Sequence, residues 1–243
     1  MKIVAIGGGS VRRKTTLKID QEIIQFSWKK NPKFLFIPTA SSDSEEYFAQ
    51  VQKHFGKLWC KVDVLYLLKE KYTKQQLVKR ILSADIIYVW GGNTLKMMTV
   101  RRKLDVDKLL KTAAKKWIVL SGLSAGSICR FSYGNSDSRK FTSKSNKLIK
   151  VRALGLIDAL HCPHYDSEKH RQKDLKRMMK GNPLVAIALE DNCALQIEDK
   201  KYRIMPSKKW AKAYKVYWKG WMYCKEEIVQ AKEYQSLAKL LKK

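Results

Sequence analysis

The chain has 243 residues, 45% of them hydrophobic, which suffices for the core of one α/β domain, and no apolar stretch approaches the ~18 residues of a membrane span. Its formal charge is +28, but the lysines run from Lys2 to Lys243 without concentrating in one segment and outnumber the arginines, so a solvated basic surface is expected rather than specific nucleic-acid binding. Five cysteines (Cys60, Cys129, Cys162, Cys193, Cys224) are odd in number and scattered, which argues against a disulfide framework or zinc site and points to a reducing, cytoplasmic setting.

Lys2 to Ile6 reads as a first strand, too short for a secretory signal, and ends in Gly7-Gly8-Gly9. Asp20 to Lys29 has helix-spaced Ile23, Ile24, Phe26 and Trp28, and Phe34 to Ile37 is a second, buried strand. Glu45 to Phe55 is helical, Val62 to Leu68 is a third strand, and Thr73 is placed to cap a helix over Thr73 to Ser83. Asp85 to Trp90 is a strand landing on Gly91-Gly92-Asn93-Thr94; Leu95 to Arg102 and Val106 to Lys115 are helical, and Trp117 to Ser121 is a strand. Leu156 to Cys162 reads as a strand and Asp166 to Met179 as a helix capped by Asp166 or Ser167. Leu184 to Leu189, Cys193 to Glu198 and Tyr202 to Pro206 are strands joined by short turns, so an antiparallel edge is expected there. The aromatic, lysine-rich Trp210–Trp221 stretch fits no element, and Glu226 to Leu241 has the spacing of a terminal amphipathic helix. This alternation implies one domain over 1–243 built on a mostly parallel sheet with helices on both faces, whose functional loops lie at the carboxyl ends of the strands.

Three such loops are rich in glycine or serine: 7–10, 91–94 and 122–126. The last is the most informative. Gly122-Leu123-Ser124-Ala125-Gly126 follows an apolar run and precedes a helix, the pattern that presents a nucleophilic serine on a tight strand-to-helix turn. A serine hydroxyl is a poor nucleophile alone and needs a base held by an orienting acid.

Of the four histidines, His54 lies on a predicted helix far upstream, while His161, His164 and His170 cluster. A base must come within about 3 Å of the hydroxyl, which favours a strand end. His164, just after Pro163, is so placed; His161 falls inside the strand as a core histidine, and His170 on a charged helix face. A metal site from these three lacks any supporting ligand pattern, so no metal or other cofactor is expected. For the acid, Glu190 and Asp191 lie in a turn between apolar strands, and Asp137 is a further candidate. No histidine follows His170, which leaves no room for the Ser–acid–His order of α/β-hydrolases and favours Ser124, His164, Asp191.

Four pieces in this order, the amino-terminal Ile6-Gly7-Gly8-Gly9, Val89 to Thr94, Gly122 to Gly126 and Cys162-Pro163-His164-Tyr165, resemble the peptidase E (aspartyl dipeptidase) family of serine peptidases over about residues 1 to 200. The resemblance implies a fold like that of class I glutamine amidotransferases, with serine replacing their cysteine. It implies Ser124 as nucleophile, His164 as base, Asp191 as acid with Glu190 one step away, and Gly92 and Ala125 N–H groups as oxyanion hole. It also implies a small peptide substrate with amino-terminal aspartate, whose carboxylate Arg171 or Arg139 could pair. Other readings are an amidase or esterase on the same scaffold, and a non-catalytic basic protein that binds nucleic acid. No membrane partner is expected.

Overall fold

A computed structural model describes residues 1–168, 170–231 and 233–243. The alternating elements are β1 (Lys2–Ile6), α1 (Leu17–Phe26), β2 (Lys33–Ile37), α2 (Glu45–Gly56), β3 (Lys61–Val64), α3 (Lys74–Leu82) and β4 (Ile86–Val89). Helices α4 (Thr94–Lys103) and α5 (Val106–Lys115) lead to β5 (Val119–Leu123) and the short α6 (Ala125–Ile128). Next come β6 (Phe131–Ser136), β7 (Ile149–Arg152), β8 (Ile157–Cys162), α7 (Arg171–Met179) and β9 (Ala186–Leu189). The chain closes with β10 (Cys193–Glu198), β11 (Lys201–Pro206), β12 (Ala213–Lys219), β13 (Met222–Glu227), β14 (Gln235–Ser236) and α8 (Leu237–Leu240).

Among the described residues the strands form two sheets, ordered β14-β11-β10-β1-β5-β4-β2-β3 and β13-β12-β9-β8-β6-β7. The first is parallel from β1 to β3, with β10 antiparallel beside β1. The second has a parallel centre, β6-β8-β9, and an antiparallel edge at β12 and β13. The expected α/β architecture is therefore present, with its strands shared between two sheets.

Period-two alternation builds the layers. Val4, Ile6, Phe34 and Phe36 join Ile19 and Ile23 of α1 and Val51 and Phe55 of α2 in one core. Their neighbours Ile3, Ala5, Leu35 and Ile37 face the other way, into a core shared with Leu77 of α3, Met97 of α4, Leu110 of α5 and Phe131 and Ile187 of the second sheet. Two-sided burial explains why these strands read as unbroken apolar runs. Thr73 caps α3 as expected, in a reciprocal capping box with Gln76.

The carboxyl-terminal quarter departs from the sequence reading. Trp210–Trp221 contains β12, and the predicted helix from Glu226 to Leu241 is replaced by β13, β14 and the short α8. The physical reason is cross-strand pairing: Lys215 meets Glu226 and Lys212 meets Glu227 across the β12–β13 hairpin. Ile228 reaches the core just after β13, and Leu237 and Leu240 reach it from the one-turn α8. Helix α7 starts at Arg171 rather than Asp166, because Asp166 is used elsewhere, as shown below.

Candidate active site

The carboxyl end of β1 organises three distant segments. Successive carbonyls of Ile6, Gly7 and Gly8 accept hydrogen bonds from the N–H groups of Ser124 (3.1 Å), His164 (3.2 Å) and Asn192 (3.0 Å). Three segments that lie more than a hundred positions further along the chain thus share one three-residue spine, at the strand ends where α/β sheets place their sites. Each segment also holds one residue at positive φ: Ser124 at 54°, His164 at 51° and Asn192 at 65°. Such non-glycine backbone is costly and persists where the surrounding fold over-determines it.

Ser124 stands between β5 and α6 with ψ −115°, a sharp turn that leaves it half-buried rather than sealed in. The turn is possible because Gly126 lies against β4: a Cβ there would overlap the Val89 carbonyl. Gly91, at the end of β4, comes so near that a Cβ on it would sit 3.1 Å from Ser124 Cβ. The next residue, Gly92, has φ +132°, and any Cβ would strike the Ala40 carbonyl, so only glycine fits. The Ala125 N–H is the first of α6, one of the groups that a helix leaves unpaired at its start.

His164 and Asp191 meet directly, with Nδ1 and Oδ1 2.7 Å apart. Both are partly exposed, at 20% and 26%. Burial alone would push the Asp191 carboxyl up, but the hydrogen bond and charge of His164, with smaller help from Ser167 and Arg171, hold it below its ordinary value. Since a carboxylate only accepts, Nδ1 carries the proton and Nε2 is left free to act as base. Gly8 packs on this pair: a Cβ there would overlap both Asp191 Oδ1 and the His164 ring. Among the described residues no hydrogen bond joins His164 to Ser124 Oγ, a contact that in apo enzymes often tightens only with substrate.

The remaining candidates are engaged elsewhere. Glu190 accepts from the Lys212 N–H at 2.9 Å and from the Tyr214 hydroxyl at 3.3 Å. Asp137 lies 4.0 Å from Arg171, which is itself buried, bonded to Glu168 and to the Asn135 carbonyl. Arg171 is therefore a structural cation, not a free one for substrate; Arg139 is exposed in the turn after β6. His54 is buried against Asp20, and His170 is exposed just before α7. Among the described residues no group of three or more His, Cys, Asp or Glu is arranged to hold a metal ion.

Sequence reasoning missed several supports. Asp166, read as a helix cap, instead accepts from the Asp191 N–H at 2.9 Å and so steadies the Asp191 loop. A second serine–histidine pair lies beneath the first: Ser127 Oγ is 2.8 Å from His161 Nε2, and His161 Nδ1 is 2.9 Å from the Ile187 carbonyl. Ser127 also lies 2.7 Å from the Ser124 carbonyl. Burial drives His161 down to about 3, so it stays neutral. The position of His161 within a strand was the available signal.

A cavity of about 590 Å³ adjoins these loops, lined in part by Gly9, Ser10, Arg12, Arg13, Tyr47 and Trp90. Gly9 follows the glycine that packs on His164–Asp191, and Trp90 precedes the one that packs on Ser124. Tyr47 and Trp90 form an aromatic wall with ring centroids 5.0 Å apart. Arg12 and Arg13, which the sequence reading passed over, are its cations.

Comparison with known proteins points to peptidases. The model of peptidase family S51 matches residues 3–205. An uncharacterized peptidase of Bacillus subtilis, YgaJ, is 34% identical over 218 residues, covering 88% of this chain and 91% of that protein. An uncharacterized peptidase of Listeria innocua, Lin0382, is 30% identical over 161 residues, 61% of this chain and 75% of that protein. In fold, the chain is similar to a crystal structure of a peptidase from an acI-B1 actinobacterium, with TM-score 0.69 at 18% identity over 97% of this chain and 96% of that one. It is likewise similar to a Listeria monocytogenes EGD-e structure titled as a peptidase E protein, with TM-score 0.64 at 20% identity over 84% and 98% of the two chains.

Proposed function

This chain belongs to peptidase family S51 and is a serine-type peptidase; from that premise we propose that it hydrolyses short peptides through an acyl-enzyme on Ser124. The observation that carries the proposal is the 2.7 Å contact of His164 with Asp191 on the same β1 spine that anchors the strained Ser124 turn.

In this reading Ser124 Oγ attacks the scissile carbonyl while His164 Nε2 takes its proton. Asp191 holds the ring in the tautomer with Nδ1–H and stabilises the imidazolium that forms. The oxyanion of the tetrahedral intermediate accepts from the Gly92 and Ala125 N–H groups, each such donor contributing about 10²–10³ in rate. His164 then passes its proton to the leaving amine. A water, deprotonated by the same nitrogen, attacks the acyl-enzyme and releases the carboxylic acid and free Ser124.

The substrate class we propose is dipeptides and short peptides with amino-terminal aspartate. Arg12 and Arg13 in the adjoining cavity support an acidic substrate, since arginine pairs bidentately with carboxylates. The test is labelling with a fluorophosphonate probe, locating the modified residue, and comparing hydrolysis of Asp-X with Ala-X and Lys-X peptides. Modification at Ser124 with Asp-X preferred is expected. Labelling elsewhere overturns the nucleophile, and equal rates across the peptides overturn the specificity.

A further inference from the structure

Three tryptophans occupy helix ends that ordinarily take glycine. Trp59 follows α2 with φ +66°, its N–H bonded to the Gly56 carbonyl and that of Cys60 to Phe55; Trp117 follows α5 with φ +61°, bonded likewise to Ala114 with Ile118 bonded to Ala113. These are paired Schellman bonds, and their left-handed position usually carries glycine because a Cβ is strained there. Trp28, after α1, has φ +58° and bonds to the Gln25 carbonyl. None of the three earns its place by burial: they are 73%, 74% and 46% exposed for Trp28, Trp59 and Trp117.

All three lie at one edge. Each stands just before a parallel strand, β2, β3 and β5 respectively, so they share the amino edge of the first sheet, opposite the carboxyl edge that holds Ser124 and His164. The Asn31 side chain bonds to the Trp59 carbonyl at 3.2 Å, and Lys2 Nζ lies 3.0 Å from a Trp28 ring centroid. With Trp28 on Lys2 of β1 and Trp59 leading into β3, four strand spacings away, the row spans about 19 Å at ~4.8 Å per strand. Exposed lysines flank every one: Lys29 and Lys30, Lys57 and Lys61, Lys115 and Lys116. Asp85 and Asp199 at this edge are engaged by the Lys33 N–H and the Met1 amino group.

We infer that this edge docks the protein onto an anionic lipid surface. Indole rings favour the bilayer interface, where an apolar body and an N–H are both accommodated. Lysines a residue or two away bring positive charge within a Debye length of anionic headgroups. No helix among the described residues is long and apolar enough to cross a membrane, and surface attachment needs none. The +28 charge opposes a second copy on this edge. Sequence-reading contacts to nucleic acid are disfavoured because no arginine, the commonest base-edge donor, lies within two positions of any of the three tryptophans; lysine-only phosphate binding is an outcome of the test below.

The test uses the full chain with vesicles of phosphatidylcholine alone and of equimolar phosphatidylcholine and phosphatidylglycerol. Sedimentation with the anionic vesicles only, and a blue shift of tryptophan fluorescence on binding, are expected. Replacing all three tryptophans by glycine separates a docking role from a structural one, because glycine suits these backbone angles. The triple variant should keep or raise its melting temperature and keep peptide hydrolysis, while losing at least about tenfold in vesicle affinity. Lys57→Glu with Lys116→Glu should weaken binding in the same direction. Equal binding by the variants, no binding to anionic vesicles, or tryptophan-dependent binding to an oligonucleotide or to a second copy in place of vesicles overturns the inference. None of these outcomes bears on Ser124, whose probe labelling is measured separately.

Discussion

Two serine–histidine pairs lie one above the other in this protein, and their residues are three positions apart in both segments: Ser124 with His164, Ser127 with His161. Chemically they are the same pair of side chains. They differ in surroundings. His161 is fully buried and its Nδ1 faces the Ile187 carbonyl, whereas His164 is partly exposed and its Nδ1 faces a carboxylate. A carbonyl can orient an imidazole but offers little to an imidazolium, and burial holds His161 at about 3, too low for a base near neutrality. A carboxylate beside a solvated ring supports both the neutral and the charged state. The pattern of residues alone does not separate the two pairs; the third partner and access to solvent do, and they are why we propose the Ser124 pair as the catalytic one.

Substitutions at the two serines should separate the pairs most sharply. Ser124→Ala is expected to lower kcat by about 10⁴–10⁶ with an unchanged melting temperature, measured on Asp-X peptides. A variant retaining full activity would end the comparison. Asp191→Asn should cost about 10⁴ in kcat, because the amide can hold His164 in the wrong tautomer. Glu190→Gln and Asp137→Asn should stay within about tenfold of the parent, since neither touches His164.

Ser127→Ala should act on the fold instead. It leaves the buried His161 Nε2 without a donor, at about 1–3 kcal/mol in denaturant unfolding, with kcat within about tenfold of the parent. A large loss of kcat at constant stability would make the lower pair part of the chemistry.

The burial of His161 should also be read in the pH dependence of stability, with no change in kcat expected. The unfolded chain protonates His161 below its ordinary 6.5, the folded one only near 3, so stability drains away as pH falls between these values, by up to about 1.4 kcal/mol per pH unit. Asp191 is depressed from 3.8, so its contribution is complete above that value and is lost only as pH falls through the lower, folded one. Urea unfolding at pH 7, 6 and 5 should therefore show a slope that His161→Gln flattens and Asp191→Asn leaves in place.

Much of this was legible beforehand. The turn at Ser124 was readable because Gly122, Ala125 and Gly126 let the chain bend sharply after a strand, and the place of His164 because a strand end and a proline precede it. Asp191 was distinguishable from Glu190 only by resemblance, since adjacent carboxylates in a turn look alike until their side chains diverge. The helix expected from Glu226 to Leu241 was not formed because cross-strand partners, Lys212 and Lys215, lie outside any local window. Arg171 looked like a substrate cation because sequence carries no record of burial.

By itself the sequence determined the alternation of strands and helices, the tight turn at Ser124 and the chain order Ser124, His164, Asp191, because these follow from local periodicity and from the chemistry of single side chains. Only the tertiary structure decided which histidine keeps a carboxylate, which serine stays reachable, and that three lysine-flanked tryptophans share one edge. Those outcomes depend on which distant residues become neighbours, and hence on burial and partners that no stretch of chain contains alone.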